Sequence, residues 1–120
     1  MSGSTASPPG RDVTEISVGL RDGRAVFLTV EGHTEFSEKG RDVVCAAVSA
    51  LVQALRFGFE SVLKDERILY RGDGERPSMT LDWRSSGGEG DILVQTVIGS
   101  LREIARAYPG NVRIVEVHEQ

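Results

Sequence analysis

Cysteine and histidine are scarce in this sequence. The 120-residue chain has one cysteine, Cys45, and two histidines, His33 and His118. A disulfide within the chain is therefore impossible, and metal clusters built from cysteine alone or from many histidines are excluded. Any histidine-dependent chemistry must use one of these two side chains. A single thiol also suits a reducing compartment.

The sequence also lacks a basic excess, a signal peptide and a long apolar run. Fourteen basic and eighteen acidic residues give a net charge of −4, which argues against a protein that binds nucleic acid directly. The first ten residues have neither a basic start nor an apolar core, and no apolar run approaches the roughly 20 residues that span a bilayer. We therefore expect a soluble, cytoplasmic protein with no membrane partner.

The chain length predicts one domain. Residues 1–11 are small, polar and proline-containing, and predict a disordered tail that precedes a single domain over residues 12–120. From Thr14 the apolar residues alternate with polar ones, and Asp22-Gly23 is a strong signal for a two-residue turn. A β-hairpin is predicted over about residues 13–31.

Two segments have helical periodicity. The first begins at Arg41, and its apolar stripe comprises Val44, Ala47, Val48, Leu51 and Leu55. The second has Asp91 as its predicted N-cap and is stopped by Pro109-Gly110. Its predicted stripe comprises Val94, Val97, Ile98, Leu101, Ala105 and Tyr108.

Short strand-like runs occupy residues 62–63, 68–70, 79–83 and 112–117, and Arg71-Gly72-Asp73 is typical of a tight turn rather than of an adhesion motif. The predicted order is ββαββαβ. Because each helix has one apolar face, both should cover the same side of a mainly antiparallel sheet of about five strands. The sequence thus predicts a two-layer α+β domain.

Cys45 is the first candidate functional residue. Cysteine is among the most buried residue types, so core packing is one interpretation. The other depends on its position in the opening turns of a helix, one step off the predicted buried stripe. Unpaired N–H groups at a helix start stabilise a thiolate, which would make Cys45 a nucleophile.

His33 follows a glycine at the predicted end of a strand, twelve residues before Cys45. The intervening loop has glycine at both ends and would let the two side chains meet, so that imidazole takes the thiol proton. Ser49, one helical turn after Cys45, would lie beside the thiol. His118 is predicted to be an exposed residue near the end of the chain.

A metal site is the weaker alternative. Glu31, His33 and Glu35 alternate, so an extended segment would place all three on one face. Such spacing is common by chance, and no second cluster supports it. We predict neither a metal nor a cofactor.

Residues 31–55, EGHTEFSEKGRDVVCAAVSALVQAL, resemble the signature of the ribosomal-processing cysteine protease family, Prp (YsxB-like). The family pattern is Gly-His at a strand end, a glycine-containing loop, and then Gly-x-Asp, two hydrophobic residues and Cys-Ala-Ala-Val-Ser at a helix start. The matching positions are Gly32, His33, Gly40, Asp42, Val43, Val44, Cys45, Ala46, Ala47, Val48 and Ser49.

The resemblance implies a Cys–His dyad, with Cys45 as nucleophile and His33 as general base. It further implies that Ser49, Asp42, Gly32 and Gly40 support the site. A mobile substrate loop would lie between the histidine and the cysteine, comprising Thr34, Glu35, Phe36, Ser37, Glu38 and Lys39.

By the same resemblance, the substrate is the precursor of the twenty-seventh large-subunit ribosomal protein, whose apolar N-terminal extension is removed, and the enzyme is a homodimer. Two alternatives come from other classes: a non-catalytic, ribosome-associated interaction module with Cys45 buried, and a thiol redox protein. The absence of a second cysteine weakens the redox alternative, because no resolving thiol is available within the chain.

Overall fold

The structure, a computed structural model, describes residues 13–32, 39–73 and 78–120. The predicted tail at residues 1–11 lies outside these ranges. The described chain forms the strands β1 (Thr14–Arg21), β2 (Arg24–Glu31), β3 (Leu69–Asp73), β4 (Ser78–Asp82) and β5 (Val112–Glu119). The helices are α1 (Lys39–Phe57) and α2 (Asp91–Ala107). The predicted order ββαββαβ is confirmed.

The β1–β2 hairpin forms where the alternation predicted it. Asp22 and Gly23 have φ angles of 54° and 80°, the positive values that a two-residue hairpin turn requires at both positions. The inward face of the hairpin is apolar and fully buried, and includes Ile16, Val18 and Leu28. The turn residues and the period-two pattern therefore both favour the same β-hairpin.

The five strands form one sheet in the order β3-β4-β2-β1-β5. Neighbouring strands run antiparallel except for β1 and β5, which are parallel with Thr14 opposite Val112. The mainly antiparallel sheet is confirmed. The parallel pair places the first strand beside the last one, with the two ends of the described chain at opposite ends of the sheet.

Both helices pack their apolar stripes against the sheet and form a single core, which confirms the two-layer α+β prediction. The buried side chains of α1 are Val44, Cys45, Val48, Val52 and Leu55, and those of α2 are Val94, Val97, Ile98 and Leu101. The end of the predicted α2 stripe is wrong, because Tyr108 is 50% exposed and lies just past the last helical residue.

The segment after α1 differs from the prediction. Residues 62–63 looked strand-like, but Gly58–Val62 forms a π-helical turn that continues α1, with Leu63 N–H donating to the Gly58 carbonyl at 2.9 Å. The extra turn carries Phe59 into the core, where its ring stacks on Trp83 at a centroid distance of 5.9 Å. Burial of this aromatic ring outweighs the strand preference of a two-residue apolar run.

Arg71-Gly72-Asp73 was predicted to be a tight turn and is instead the second half of β3. Arg71 pairs with Thr80, and Asp73 pairs with Ser78. The connection to β4 therefore falls later in the chain, at residues 74–77, outside the described residues. The triplet is held in a paired strand, which is not the exposed turn that adhesion would need.

The start of α2 is also shifted by one residue from the prediction. Asp91 is the first helical residue, and Gly90 occupies the N-cap position. A side chain at Gly90 would collide with the ring of Phe59, so close packing of the π-helical turn determines the residue here. The Asp91 carboxylate still lies in the first turn, where the positive end of the helix dipole favours it.

The helical stretch Val43–Val62 is the exception to the expected lack of membrane-length segments. It has 20 residues and a mean hydropathy of 1.5, so length and composition alone would let it cross a bilayer. Its apolar stripe, however, packs against the sheet in the core formed with α2. A core helix of a globular domain has these same properties, so the stretch is weak support for a membrane span.

Candidate active site

Cys45 lies in the second turn of α1. The helix begins at Lys39, two residues before the predicted start, so Cys45 is its seventh residue. The unpaired N–H groups of a helix belong to its first four residues, and their electrostatic effect fades within the first turn. The helix start therefore stabilises a thiolate at Cys45 less than the sequence suggested.

The prediction that Cys45 stands off the buried stripe is wrong. The residue is only 8% exposed and forms one face with Val48 and Val52, directed at the sheet. The predicted stripe was rotated, because Ala47 and Leu51 are only partly buried. Burial of Cys45 is compatible with a packing role and with a nucleophilic role. The residues around Cys45 are therefore the evidence that distinguishes the two interpretations.

One neighbour of Cys45 is polar and was missed in the sequence. Thr14 is 1% exposed, and its Oγ1 lies 3.4 Å from the Cys45 Sγ, within hydrogen-bonding distance. Thr14 is the first residue of the inward stripe that continues with Ile16 and Val18. A hydroxyl at an inward position of a strand was the signal that could have identified it.

The end of β2 lies beside Thr14. Glu15 pairs with Glu31, so the start of β1 and the end of β2 meet at the same end of the sheet. Gly32 follows with a φ of 88°, a value that strongly favours glycine and turns the chain away from the strand. Gly32 thus leads the chain out of β2 at the same end of the sheet at which Thr14 contacts Cys45.

The remaining predicted site residues fall into two groups. Lys39, Gly40 and Asp42 lie in the first turn of α1, which corrects the loop assignment of the first two. Ser49 is half-buried one turn after Cys45. The others, namely His33, Thr34, Glu35, Phe36, Ser37 and Glu38, lie outside the described residues, so the predicted dyad distance and loop stay predictions.

His118 is far from the site. It lies on β5 opposite Leu20, six residues beyond Val112, which pairs with Thr14. At about 3.3 Å per residue, this places it roughly 20 Å along the sheet from Thr14. Its side chain is 72% exposed and lies 3.5 Å from Glu116, as expected for an exposed residue. Within one chain, His118 cannot serve as the base for Cys45.

The resolved pKa shifts belong to ion pairs away from Cys45. Hydrogen bonds from the Arg67 side chain and its backbone N–H hold the pKa of Asp65 well below the ordinary carboxyl value. The pKa of Arg84 is raised by its hydrogen bonds to Glu119 and Asp82. The Asp65–Arg67 pair is local, whereas the contact of Arg84 with Glu119 joins the end of β4 to β5. Among the described residues, no three metal-ligating side chains cluster.

Comparison with known proteins identifies the chemistry of this arrangement. A model of the family described as "Cysteine protease Prp" matches residues 13–113. The chain belongs to this family. It is therefore a cysteine protease, and family membership disfavours the two alternatives, a non-catalytic module and a thiol redox protein.

Two curated relatives are named "Ribosomal processing cysteine protease Prp". The Mycoplasma genitalium protein is 30% identical over 90 residues, which cover 75% of this chain and 87% of the relative. The Mycoplasma pneumoniae protein is 33% identical over 82 residues, which cover 68% of this chain and 78% of the relative.

Solved structures of the same fold support the architecture. A Streptococcus mutans protein has a TM-score of 0.79 at 24% identity, covering 90% of this chain and 97% of its own. The ribosomal processing protease Prp from S. aureus, solved in complex with a substrate peptide, has a TM-score of 0.76 at 23% identity, covering 87% and 99% of the two chains. The two helices on a five-stranded sheet are the family fold.

Proposed function

We propose that this chain is an endopeptidase that removes an N-terminal extension from a ribosomal protein, with Cys45 as nucleophile and His33 as general base. One observation carries the proposal: the only cysteine of a cysteine protease is buried at the end of the sheet from which Gly32 leads into His33. The names of the Mycoplasma relatives support the substrate class.

The reaction is acyl transfer through a thioester. The Cys45 thiolate, formed when His33 takes its proton, attacks the carbonyl carbon of the scissile peptide bond and forms a C–S bond. His33 then protonates the departing amine as the C–N bond breaks. Water, deprotonated by His33, attacks the thioester, and the C–S bond breaks to release the carboxylate and restore the thiol.

Other site residues have supporting roles in the proposal. Ser49, one turn from Cys45, would orient His33, the substrate or a water molecule. Asp42 and Gly40 would set the helix start, and Thr34, Glu35, Phe36, Ser37, Glu38 and Lys39 would contact the substrate. A homodimer in the cytoplasm completes the proposal, and light scattering of the purified chain tests the oligomeric state.

The decisive experiment uses the full-length ribosomal protein precursor of the same organism. Incubation with the wild-type chain should yield one shortened product by intact mass, and Cys45→Ala should yield none. A precursor made without the extension is the matched control and should stay intact with both enzymes. Equal cleavage by Cys45→Ala and the wild type would contradict the assignment of the nucleophile.

A further inference from the structure

We propose that Thr14 is a positioning residue of the active site, whose hydroxyl donates a hydrogen bond to the Cys45 sulfur and stabilises the thiolate. The inference rests on the proposed function in one respect, namely that Cys45 is the nucleophile. Its structural basis is the 3.4 Å separation between Thr14 Oγ1 and Cys45 Sγ, in a site where both residues are buried.

A hydroxyl is an unexpected group at this position if the site serves packing alone. Thr14 is the first residue of an inward stripe that is otherwise apolar, and its hydroxyl faces a thiol, which is a weak donor and a weak acceptor. Burying a hydroxyl against so weak a partner costs free energy that valine, with nearly the same shape, would avoid. Within the part of the chain that the structure describes, Cys45 is the hydrogen-bond partner of this hydroxyl, and its sulfur becomes a strong acceptor only when it is charged.

The direction of the hydrogen bond follows from the protons available. In the neutral pair, either the S–H or the O–H can donate. A thiolate has no proton, so Thr14 must then donate and the sulfur must accept. Hydrogen bonds to an ionised acceptor are stronger than those between neutral groups, so this contact favours the thiolate over the thiol.

The backbone holds Thr14 rigidly in place. Its N–H donates to the Asn111 carbonyl at 2.8 Å, and its partner across the parallel pair is Val112. Asn111 and Val112 in turn donate to the carbonyl of Tyr108, at 2.9 and 3.0 Å. Threonine adds restricted χ1 rotation to this fixed backbone, so the hydroxyl is held near the sulfur before substrate binds.

Thr14 also offers the sulfur a donor that the first turn of α1 is too far away to supply. Because Cys45 is the seventh residue of α1, the N–H groups of the first turn are already one turn away. Thr14 approaches the sulfur from β1 instead. Stabilisation of the nucleophile would then come from the sheet as well as from the helix that carries it.

The test compares Thr14→Val, which removes the hydroxyl, with Thr14→Ser, which keeps it. Cys45 is the only thiol, so its alkylation by iodoacetamide can be followed across pH in each native variant without substrate. We expect Thr14→Val to react about 5- to 10-fold more slowly at pH 7, the scale of the difference between a hydrogen bond to a charged group and one between neutral groups, and to match the wild type at high pH, where every thiol is ionised. Thr14→Ser should stay within about 2-fold of the wild type, because it retains the donor.

Peptide cleavage provides the second measurement. Loss of the donor should lower kcat by a similar factor, about 5- to 10-fold, and leave KM within about 2-fold, because the hydroxyl acts on the nucleophile and not on the bound peptide. The matched control is Thr29→Val, which removes a hydroxyl that bonds to Thr80 at 3.0 Å on the opposite face of the sheet. This variant should alkylate and cleave like the wild type.

Three outcomes would overturn the inference: a Thr14→Val alkylation profile equal to that of the wild type, equal losses in Thr14→Ser and Thr14→Val, or a matching loss in Thr29→Val. If Thr14→Val does not fold, Thr14→Ala provides the hydroxyl-free variant. The proposed function fails separately. It fails if the wild type cleaves no precursor, whereas the alkylation comparison needs no substrate.

Discussion

The two helices pack on the same face of one sheet, but they differ in what they bury. The buried stripe of α2 is entirely aliphatic, from Val94 to Leu101. The stripe of α1 contains Cys45 among its valines and meets the hydroxyl of Thr14 on the facing strand. The comparison teaches that a core position can carry a reactive residue type: α1 buries the proposed nucleophile, whereas the buried stripe of α2 consists of aliphatic side chains.

The largest effect on activity should come from removing the proposed base, His33. We expect His33→Ala to lower kcat/KM at least about 100-fold, the low end of what general acid–base groups contribute. Cleavage of a peptide spanning the extension site measures it. His118→Ala is the matched control and should be unaffected, since that side chain is exposed and distant. Unchanged turnover in His33→Ala would mean that another group takes the proton.

A substitution in the buried stripe of α2 should lower stability and leave catalysis unchanged. Leu101 is fully buried, so Leu101→Ala should lower the free energy of unfolding by about 2–5 kcal/mol through lost burial and a residual cavity. Below the unfolding transition, its kcat should equal that of the wild type. Urea unfolding and peptide cleavage on the same samples measure both quantities. A selective loss of kcat in folded Leu101→Ala would show that α2 also takes part in the chemistry.

A smaller effect on kcat is expected for Ser49, one turn after the proposed nucleophile Cys45. Ser49→Ala should reduce kcat only a few-fold, because the serine supports the site without forming the covalent bond. Thr96→Ala on α2 is the control: Thr96 is exposed, and its hydroxyl donates to the Ile92 carbonyl one turn earlier at 2.7 Å. If both variants lost the same activity, Ser49 would have no role beyond that of an ordinary helical hydroxyl.

The smallest effect, a pH-dependent change in stability, is expected at Asp65, shortly after α1. Asp65 follows the π-helical turn, and hydrogen bonds from Arg67 lower its pKa from the ordinary value of 3.8. A carboxyl with a lowered folded-state pKa stabilises the fold fully above that ordinary value, and the stabilisation is lost progressively as pH falls from there towards the lowered pKa. Asp65→Asn should therefore be less stable than the wild type at pH 7. The difference should shrink at pH 3, as urea unfolding at both pH values would show.

The sequence predicted those features of the fold that depend on local pattern. Period-two alternation and Asp22-Gly23 suffice for the hairpin, and the helical stripes place both helices on one face. The π-helical turn was missed because the burial of Phe59 against Trp83 is a tertiary effect. Arg71-Gly72-Asp73 was misassigned because turn-forming residues also occur in a short edge strand.

The candidate site was predicted in its residue types but not in its surroundings. Residue type and position made Cys45 and His33 candidates, and the resemblance to the family supplied the roles now proposed for them. Core packing was one of the two interpretations of Cys45, but its place on the buried stripe itself was not predicted, because the stripe read from the sequence was rotated relative to the real one. The inward position of Thr14 is visible in the sequence, but its contact with Cys45 is not, since the two are 31 residues apart and meet only through the fold.

The parallel pairing of β1 with β5 also bears on when the enzyme becomes active. Arg113 of β5 bonds to Glu15 of β1 across 98 residues of sequence, so this pair closes the longest loop among the described hydrogen bonds. Contacts of such sequence separation form slowly, because chain entropy must be lost before they stabilise anything. Thr14 is anchored by that same pair. The proposed nucleophile therefore gains the hydroxyl beside it only after β5 has docked, so that a partly folded chain would have the Cys45 thiol without this buried partner.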